Sequence, residues 1–151
     1  MKTTKLDLDN YLPYLVNRVG SILAEQYGRE ALAPHGLSIA MWRVMATLAD
    51  KGGQRQIDLA GLTSIDVSTL SRIVSRLIRM GLVSRTRAPA SPREVIVKLT
   101  PKGLAQVARL TPIAVRYEAA AVAGLSASDL ATLKRCLRLA YANLKKHAVV
   151  R

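Results

Sequence analysis

The stretch from Asp66 to Gly81 most constrains what this chain can fold into, because it reads as an amphipathic helix with both ends defined. Leu70, Ile73, Val74 and Leu77 fall at i, i+3, i+4 and i+7, one apolar stripe for a core. The other face holds Ser68, Thr69, Arg72, Ser75, Arg76 and Arg79, hydroxyls first and guanidinium groups after them, with no acid. Asp66 is placed to cap the N-terminus, since a carboxylate there accepts from free backbone amides and suits the positive end of the helix dipole. Gly81 suits the left-handed residue that closes such a helix.

The flanks of this helix set an order of parts. Gln56 to about Leu62 reads as a shorter helix, preceded by a turn at Lys51-Gly52-Gly53-Gln54. After Gly81, Val83 to Arg87 and Glu94 to Leu99 read as two strands around a tip of Ala88-Pro89-Ala90-Ser91-Pro92-Arg93. Thr100-Pro101 then starts another helix, a hydroxyl cap with proline at the first helical position. Helix, turn, helix, two-stranded ribbon and helix is the order of a winged helix-turn-helix, so the fold class expected is mainly α with a small β-wing. Between Arg72 and Lys102 eight Lys or Arg face one acid, Glu94, more than half of the formal +13 of the whole chain. Arginine forks suit guanine edges and phosphates, which makes the recognition face a candidate for a DNA major groove.

The runs Leu59-Ala60, Ser68-Thr69-Leu70-Ser71-Arg72, Gly81-Leu82-Val83-Ser84-Arg85 and Leu99-Thr100-Pro101-Lys102-Gly103 together resemble the MarR family of bacterial transcription regulators. Leu37-Ser38 to Trp42-Arg43-Val44 is similar to that family's second helix, so the likeness covers nearly the whole chain. It implies one unit over residues 1–151, with a winged helix-turn-helix at about 38–100 and dimerisation helices at about 9–33 and 101–147. Members usually carry Asp-Arg-Arg at the wing tip, where this chain has Ser91-Pro92-Arg93; the first tip arginine often enters a minor groove, and Pro92 cannot. Either Arg87 or Arg93 takes over that contact, or the wing contributes less. The family also more often has an apolar residue at the place of Thr63, and its peroxide-sensing members use a cysteine near the first helix, where this chain has none.

Size and charge narrow the class further. The 151 residues suffice for a sizeable core, and a pI near 10.6 favours a polyanionic partner, nucleic acid ahead of membrane because the charge sits on a folded motif. One cysteine, Cys136, excludes an internal disulfide framework and a Cys-based metal cluster, and points to a reducing, cytoplasmic setting. Cys136 itself is expected to be a small buried apolar residue. The stretch from Met1 to Leu15 has acids at Asp7 and Asp9 and no long apolar core, so a signal peptide is not expected, and no apolar run is long enough for a membrane span. No HExxH, GxSxG, phosphate loop or usefully spaced Cys/His pair is present, so no catalytic residue, metal ligand or cofactor site is assigned and an enzyme is not expected.

The first helix is expected from about Tyr11 to Arg29, capped by Asp9 or Asn10, with Leu12, Leu15, Val16, Val19, Ile22 and Leu23 as its buried stripe. A second face aligns Tyr11, Tyr14 and Arg18. Ala33-Pro34-His35-Gly36 is a connector, after which Ser38 caps a second helix with Ile39, Trp42, Met45, Leu48 and Ala49 facing inward. The helix from Thr100 is expected to kink or break at Pro112, and Ser126 with Asp129 resembles a capping box for a last helix carrying Leu130, Leu133, Leu137, Leu139 and Leu144.

These readings converge on a homodimeric, sequence-specific regulator binding double-stranded DNA at a near-palindrome, with a repressor released by a small effector as the form the resemblance implies. Ser68, Thr69 and Arg72 are candidates for base or groove-floor contacts, with Ser75 on the same face; Arg76, Arg85, Arg87 and Arg93 are candidates for phosphates or the minor groove. The resemblance implies an often aromatic, often anionic effector, which Tyr11, Tyr14, Arg18, His35, Trp42 and Arg43 suit; an aromatic carboxylate or its coenzyme A thioester is the specific expectation. The alternatives are a winged helix used as a protein-interaction module and a constitutive architectural DNA binder.

Overall fold

The computed structural model describes residues 5–148; Met1 to Thr4, within the leading stretch discussed above, and residues 149–151 lie outside the described residues. The chain divides into two compact units, one running to Tyr117 and the other beginning at Glu118. The helices are α1 (Leu12–Tyr27), α2 (Ile39–Lys51), α3 (Gln56–Thr63), α4 (Val67–Arg79), α5 (Pro101–Ala121) and α6 (Ala127–Ala148). The strands are β1 (Gln54–Arg55), β2 (Val83–Ala88) and β3 (Ser91–Leu99), paired antiparallel in the order β1-β3-β2. This is the expected mainly helical winged helix-turn-helix, with a third strand added.

In the first unit, the core gathers Leu32, Met41, Val44, Met45, Leu59, Leu70, Val74, Leu77, Val83, Val97 and Leu110. The α4 stripe is buried as its period requires, with Ile73 packed partly against the same core. Ser38 caps α2 by accepting from the Met41 amide at 3.2 Å. On α2, however, Met41 and Val44 are buried while Ala49 is exposed, because the helix turns its Ala49 edge to solvent. Thr63 is buried at 2% exposure and needs no apolar replacement, since its hydroxyl donates to the Leu59 carbonyl at 2.7 Å. A buried hydroxyl satisfied within its own helix costs little.

Several expectations change. Neither Asp9 nor Asn10 caps α1: the Asn10 side-chain Nδ2 donates to the Asp7 carboxylate at 2.6 Å, and Tyr11 occupies the cap position with no side-chain bond. The α-helix ends at Tyr27 rather than Arg29, and a π-helical turn, Gly28–Leu32, follows. Most of the stripe read as buried on α1 is exposed, with Leu12 at 55% and Val19 at 53%, and only Leu23 is half-buried. Gln54, read as turn, is paired in β1 opposite Val97. The wing tip is shorter than expected: β2 and β3 extend until Ala88 pairs with Ser91, leaving Pro89 and Ala90 as the turn. Arg87 pairs with Val95, so Pro92, Arg93 and Glu94 lie between the two registered pairs as a bulge. Pro92 has no amide to give to a ladder, and bulges are where strands accept proline. Nor does Pro112 break α5, which runs through it; one lost hydrogen bond is outweighed by the packing of a helix that buries Gly103, Val107 and Leu110.

In the second unit, Ser126 caps α6 by accepting from the Asp129 amide at 3.0 Å and donating to the Asp129 carboxylate at 2.6 Å. Aspartate is too short for the reciprocal bond to the cap amide and takes the hydroxyl instead. Along α6 no residue with a described side chain is buried: Leu133, Leu137, Leu139 and Leu144 are all exposed, and so is Cys136, expected inside.

Candidate nucleic-acid interface

The α4 N-terminus is built by Asp66. Its Oδ1 accepts from the Thr69 amide at 2.8 Å and from the Ser68 hydroxyl at 2.7 Å. The Thr69 side chain, then the Thr69 amide and the Ser68 hydroxyl, hold the Asp66 carboxyl well below the usual carboxylate range. The acid is therefore ionised at neutral pH, where it complements the helix dipole. Ser68 and Thr69 are exposed, and each combines a capping bond with a place on the outer face.

Arg72, Arg76 and Arg79 are exposed further along that face, and Ser75 is half-buried among them. At 1.5 Å per residue the helix is about 20 Å long, enough to lie across a major groove about 12 Å wide. Its C-terminus is closed by Gly81 at φ 72°, with the Gly81 amide donating to Ile78 at 2.9 Å and the Leu82 amide to Leu77 at 3.0 Å. This pair of bonds needs a residue that tolerates positive φ. Thr100 and Lys102 fix α5 to the same end: Thr100 Oγ1 donates to the Gly81 carbonyl at 2.6 Å, and Lys102 Nζ to the Met80 carbonyl at 2.8 Å. Lys102 thus serves as a cationic partner for the negative end of α4, a role that its position in the sequence did not signal.

On the wing, Arg85 and Arg87 stand two residues apart on one face of β2, and Arg93 is exposed in the bulge of β3. Arg85 donates to the side-chain amide oxygen of Gln56, Oε1, at 3.3 Å. Arg55, not singled out from the sequence, donates to Asp58 through Nε at 2.5 Å and to Glu94 Oε1 at 3.1 Å. The contact with Glu94, 39 residues away, carries no signal in local sequence.

The six candidate effector residues divide. Arg18 lies over the Tyr14 ring at 5.6 Å, so these two are brought together along an open groove on α1. Trp42 instead meets Tyr27 edge to face at 5.5 Å, and Tyr27 meets Tyr117 at 5.6 Å, an aromatic cluster whose two tyrosines the sequence did not mark. The Tyr27 hydroxyl donates to the Leu110 carbonyl at 3.2 Å, and burial pushes its phenol up to about 12. Tyr117 donates to Glu30, whose carboxyl is held down by that bond and by Arg29. Arg43 turns towards the Thr63 carbonyl at 3.5 Å, His35 is half-buried in the connector, and Tyr11 is exposed at the α1 cap. Among the described residues no cluster of His, Cys, Asp and Glu is arranged to hold a metal ion, and no helix is long and apolar enough to cross a membrane.

The sequence model of the MarR family matches residues 37–95, the segment that contains α2, the helix-turn-helix and most of the wing. A MarR-family transcriptional regulator from Silicibacter pomeroyi superposes with a TM-score of 0.82 at 30% identity, over 92% of this chain and 91% of that one. The chain belongs to the MarR family. Its sequence is 28% identical over 129 residues to the HTH-type transcriptional repressor Rv2887 of Mycobacterium tuberculosis, covering 85% of this chain and 92% of that protein. A single-residue variant of Escherichia coli MarR, solved with operator DNA, matches at TM-score 0.74 and 25% identity over 85% of this chain and 92% of that one. BpsR of Bordetella bronchiseptica, whose DNA binding is regulated by 6-hydroxynicotinic acid, matches at TM-score 0.75 and 25% identity over 86% and 98%. MarR-family proteins are DNA-binding transcriptional regulators, not enzymes, and this chain falls in that class.

Proposed function

We propose that this MarR-family chain is a homodimeric repressor that binds a near-palindromic operator and is released by a small aromatic, anionic effector. The observation that carries the DNA-binding part is the outer face of α4: exposed Ser68, Thr69, Arg72, Arg76 and Arg79, without an acid, behind an N-terminus ordered by Asp66. In this reading Ser68, Thr69 and Arg72 reach base edges, Ser75 borders them, and Arg76, Arg85, Arg87 and Arg93 hold phosphates or the minor groove. Operator DNA in the Escherichia coli neighbour supports it.

Homodimerisation through the segments at about 9–33 and 101–147 is supported by the uncovered apolar residues of α1 and α6, since surfaces of this kind mark association. Two-fold symmetry then presents two recognition helices to half-sites about one helical turn apart. The effector proposal draws on the aromatic acid that regulates BpsR and on the Tyr14–Arg18 pair, in which a cation and a phenol adjoin. Release requires that the effector favour the conformation whose recognition helices are wrongly spaced for DNA.

The test is fluorescence anisotropy on duplexes from the chain's own upstream region and on shuffled DNA across a salt series. A preference of about a thousandfold or more is expected for the specific site. Arg72→Ala should cost about 1–3 kcal/mol on the specific site and blur base preference. Equal weakening on specific and shuffled DNA would remove Arg72 from base recognition. Calorimetry across aromatic carboxylates and their coenzyme A thioesters, with no binding to any, would remove the effector reading.

A further inference from the structure

Glu94 is the one acid in the basic stretch from Arg72 to Lys102, on a wing that presents Arg87 and Arg93. An acid there opposes DNA binding unless it does something else. It lies in the β3 bulge, where Pro92, Arg93 and Glu94 fall between the pairs Ala88–Ser91 and Arg87–Val95. The ladder therefore does not register this stretch, and a side-chain contact has to.

That contact is Arg55. Its guanidinium grips Asp58 with two N–H groups, Nε to Oδ2 at 2.5 Å and Nη2 to Oδ1 at 3.0 Å, and turns Nη1 to Glu94 Oε1 at 3.1 Å. Asp58 lies on α3, so the guanidinium is oriented from the helix-turn-helix and the wing is what it holds. The neighbouring residue, Gln56, accepts from Arg85 of β2 at 3.3 Å. Two consecutive residues at the β1–α3 junction thus take one strand of the wing each. One cation facing two carboxylates has no charge to spare for a phosphate.

Resting on the DNA-binding reading above, we infer that Arg55 and Glu94 are positioning residues: their ion pair, with Gln56–Arg85 beside it, sets the angle at which the wing offers Arg87 and Arg93 to the duplex. The pair works through the wing arginines and does not itself touch DNA. Its signature is a sign. Removing an acid next to a polyanion strengthens binding by simple electrostatics, whereas removing an anchor weakens it.

The experiment compares Glu94→Ala, Arg55→Ala, the double variant and Arg87→Ala with the wild type. Binding is read by anisotropy on a duplex selected by the wild-type protein from a random pool, over a salt series. Hydrogen exchange of amides 93–97 is read in the free protein, where no DNA is needed. We expect Glu94→Ala to weaken binding about threefold or more, Arg55→Ala to do likewise, and the double variant to add little to either. Arg55→Ala should leave the salt slope unchanged, while Arg87→Ala lowers it by about 0.9 if that side chain neutralises one phosphate. Exchange at 93–97 should quicken in both anchor variants. Tighter or unchanged binding by Glu94→Ala, a salt slope lost with Arg55, or unaltered exchange would each overturn the inference. If the wild type selects no duplex, the DNA-binding reading fails, and the exchange measurement still decides whether the anchor exists.

Discussion

Gly103→Ala and Gly61→Ala are the same chemical change in two helices, and the structure predicts opposite signs. Both should gain from helix propensity, where alanine is favoured over glycine by about 1 kcal/mol. At Gly61, on the exposed side of α3, an added Cβ meets nothing within 4 Å, so the gain should be kept. At Gly103, near the start of α5, the Cβ would stand 2.0 Å from the Leu82 carbonyl oxygen, 3.0 Å from its carbon and 3.0 Å from Leu99 Cδ2. Carbon and oxygen pack no closer than about 3.3 Å, so α5 and Leu82 must separate by more than 1 Å. That carbonyl accepts from the Thr100 amide at 3.1 Å, and the Thr100 and Lys102 bonds to Gly81 and Met80 sit beside it, so no flexible side chain is available to yield. Overpacking costs about 1–3 kcal/mol, occasionally more, and a clash with backbone belongs at the top of that range. The net loss should be about 2 kcal/mol, roughly 4–8 °C in Tm for a chain of this size, against a rise of roughly 2–4 °C for Gly61→Ala. The assay is thermal unfolding followed by circular dichroism at one fixed protein concentration, because association would otherwise shift Tm. If Gly103→Ala melts at or above the wild type, the close approach of α5 to Leu82 is wrong.

Two further outcomes concern pH. The folded chain keeps the Tyr27 proton up to about 12 while the unfolded chain loses it near 10, so this contribution is complete below pH about 10 and is lost as pH rises towards 12. Urea unfolding at pH 8 and pH 11 should show a steeper alkaline loss for the wild type than for Tyr27→Phe; equal losses would contradict a buried phenol. The Asp66 carboxyl is depressed in the folded state, so its contribution is present above the unfolded value, about 3.9, and is lost as pH falls through the folded one. Asp66→Ala should melt lower at pH 7 and lose less on acidification than the wild type, and an unchanged acid limb would show that the cap carries no charge-dependent stability.

What was legible in the sequence was local chemistry. Asp66, Ser38, Thr100 and Ser126 each cap a helix as read, because a cap needs only a side-chain acceptor within three residues of a free amide. Gly81 and the Leu70-Val74-Leu77 stripe follow from backbone geometry and period alone. The illegible features depend on distant partners. Two residues, Gln54 and Arg55, have no periodicity to betray a strand, and β1 exists because β3 passes beside it at Val97 and Ile96. The wing bulge follows from where Pro92 falls in the register, and Arg55–Glu94 from the path of the chain across 39 residues.

The first helix separates these two kinds of information most sharply. Leu12, Leu15, Val16, Val19, Ile22 and Leu23 keep a helical period, and the period predicts a buried stripe. Within the first unit most of that face is exposed, and the buried residue of α1 is Tyr27, at its far end. A period of 3.6 states that selection has kept one face apolar, and it is silent on which surface covers that face. A solvated helix surface gains nothing from aligned leucines and valines, so the alignment implies a covering that the first unit by itself does not supply. The same holds for α6, on which Leu133, Leu137 and Leu144 stay exposed although the helix is capped and continuous. Sedimentation equilibrium is therefore the direct measure of what the pattern encodes: the proposed homodimer requires twice the chain mass at micromolar concentration, and a chain that remains monomeric there would leave both apolar faces without a reason.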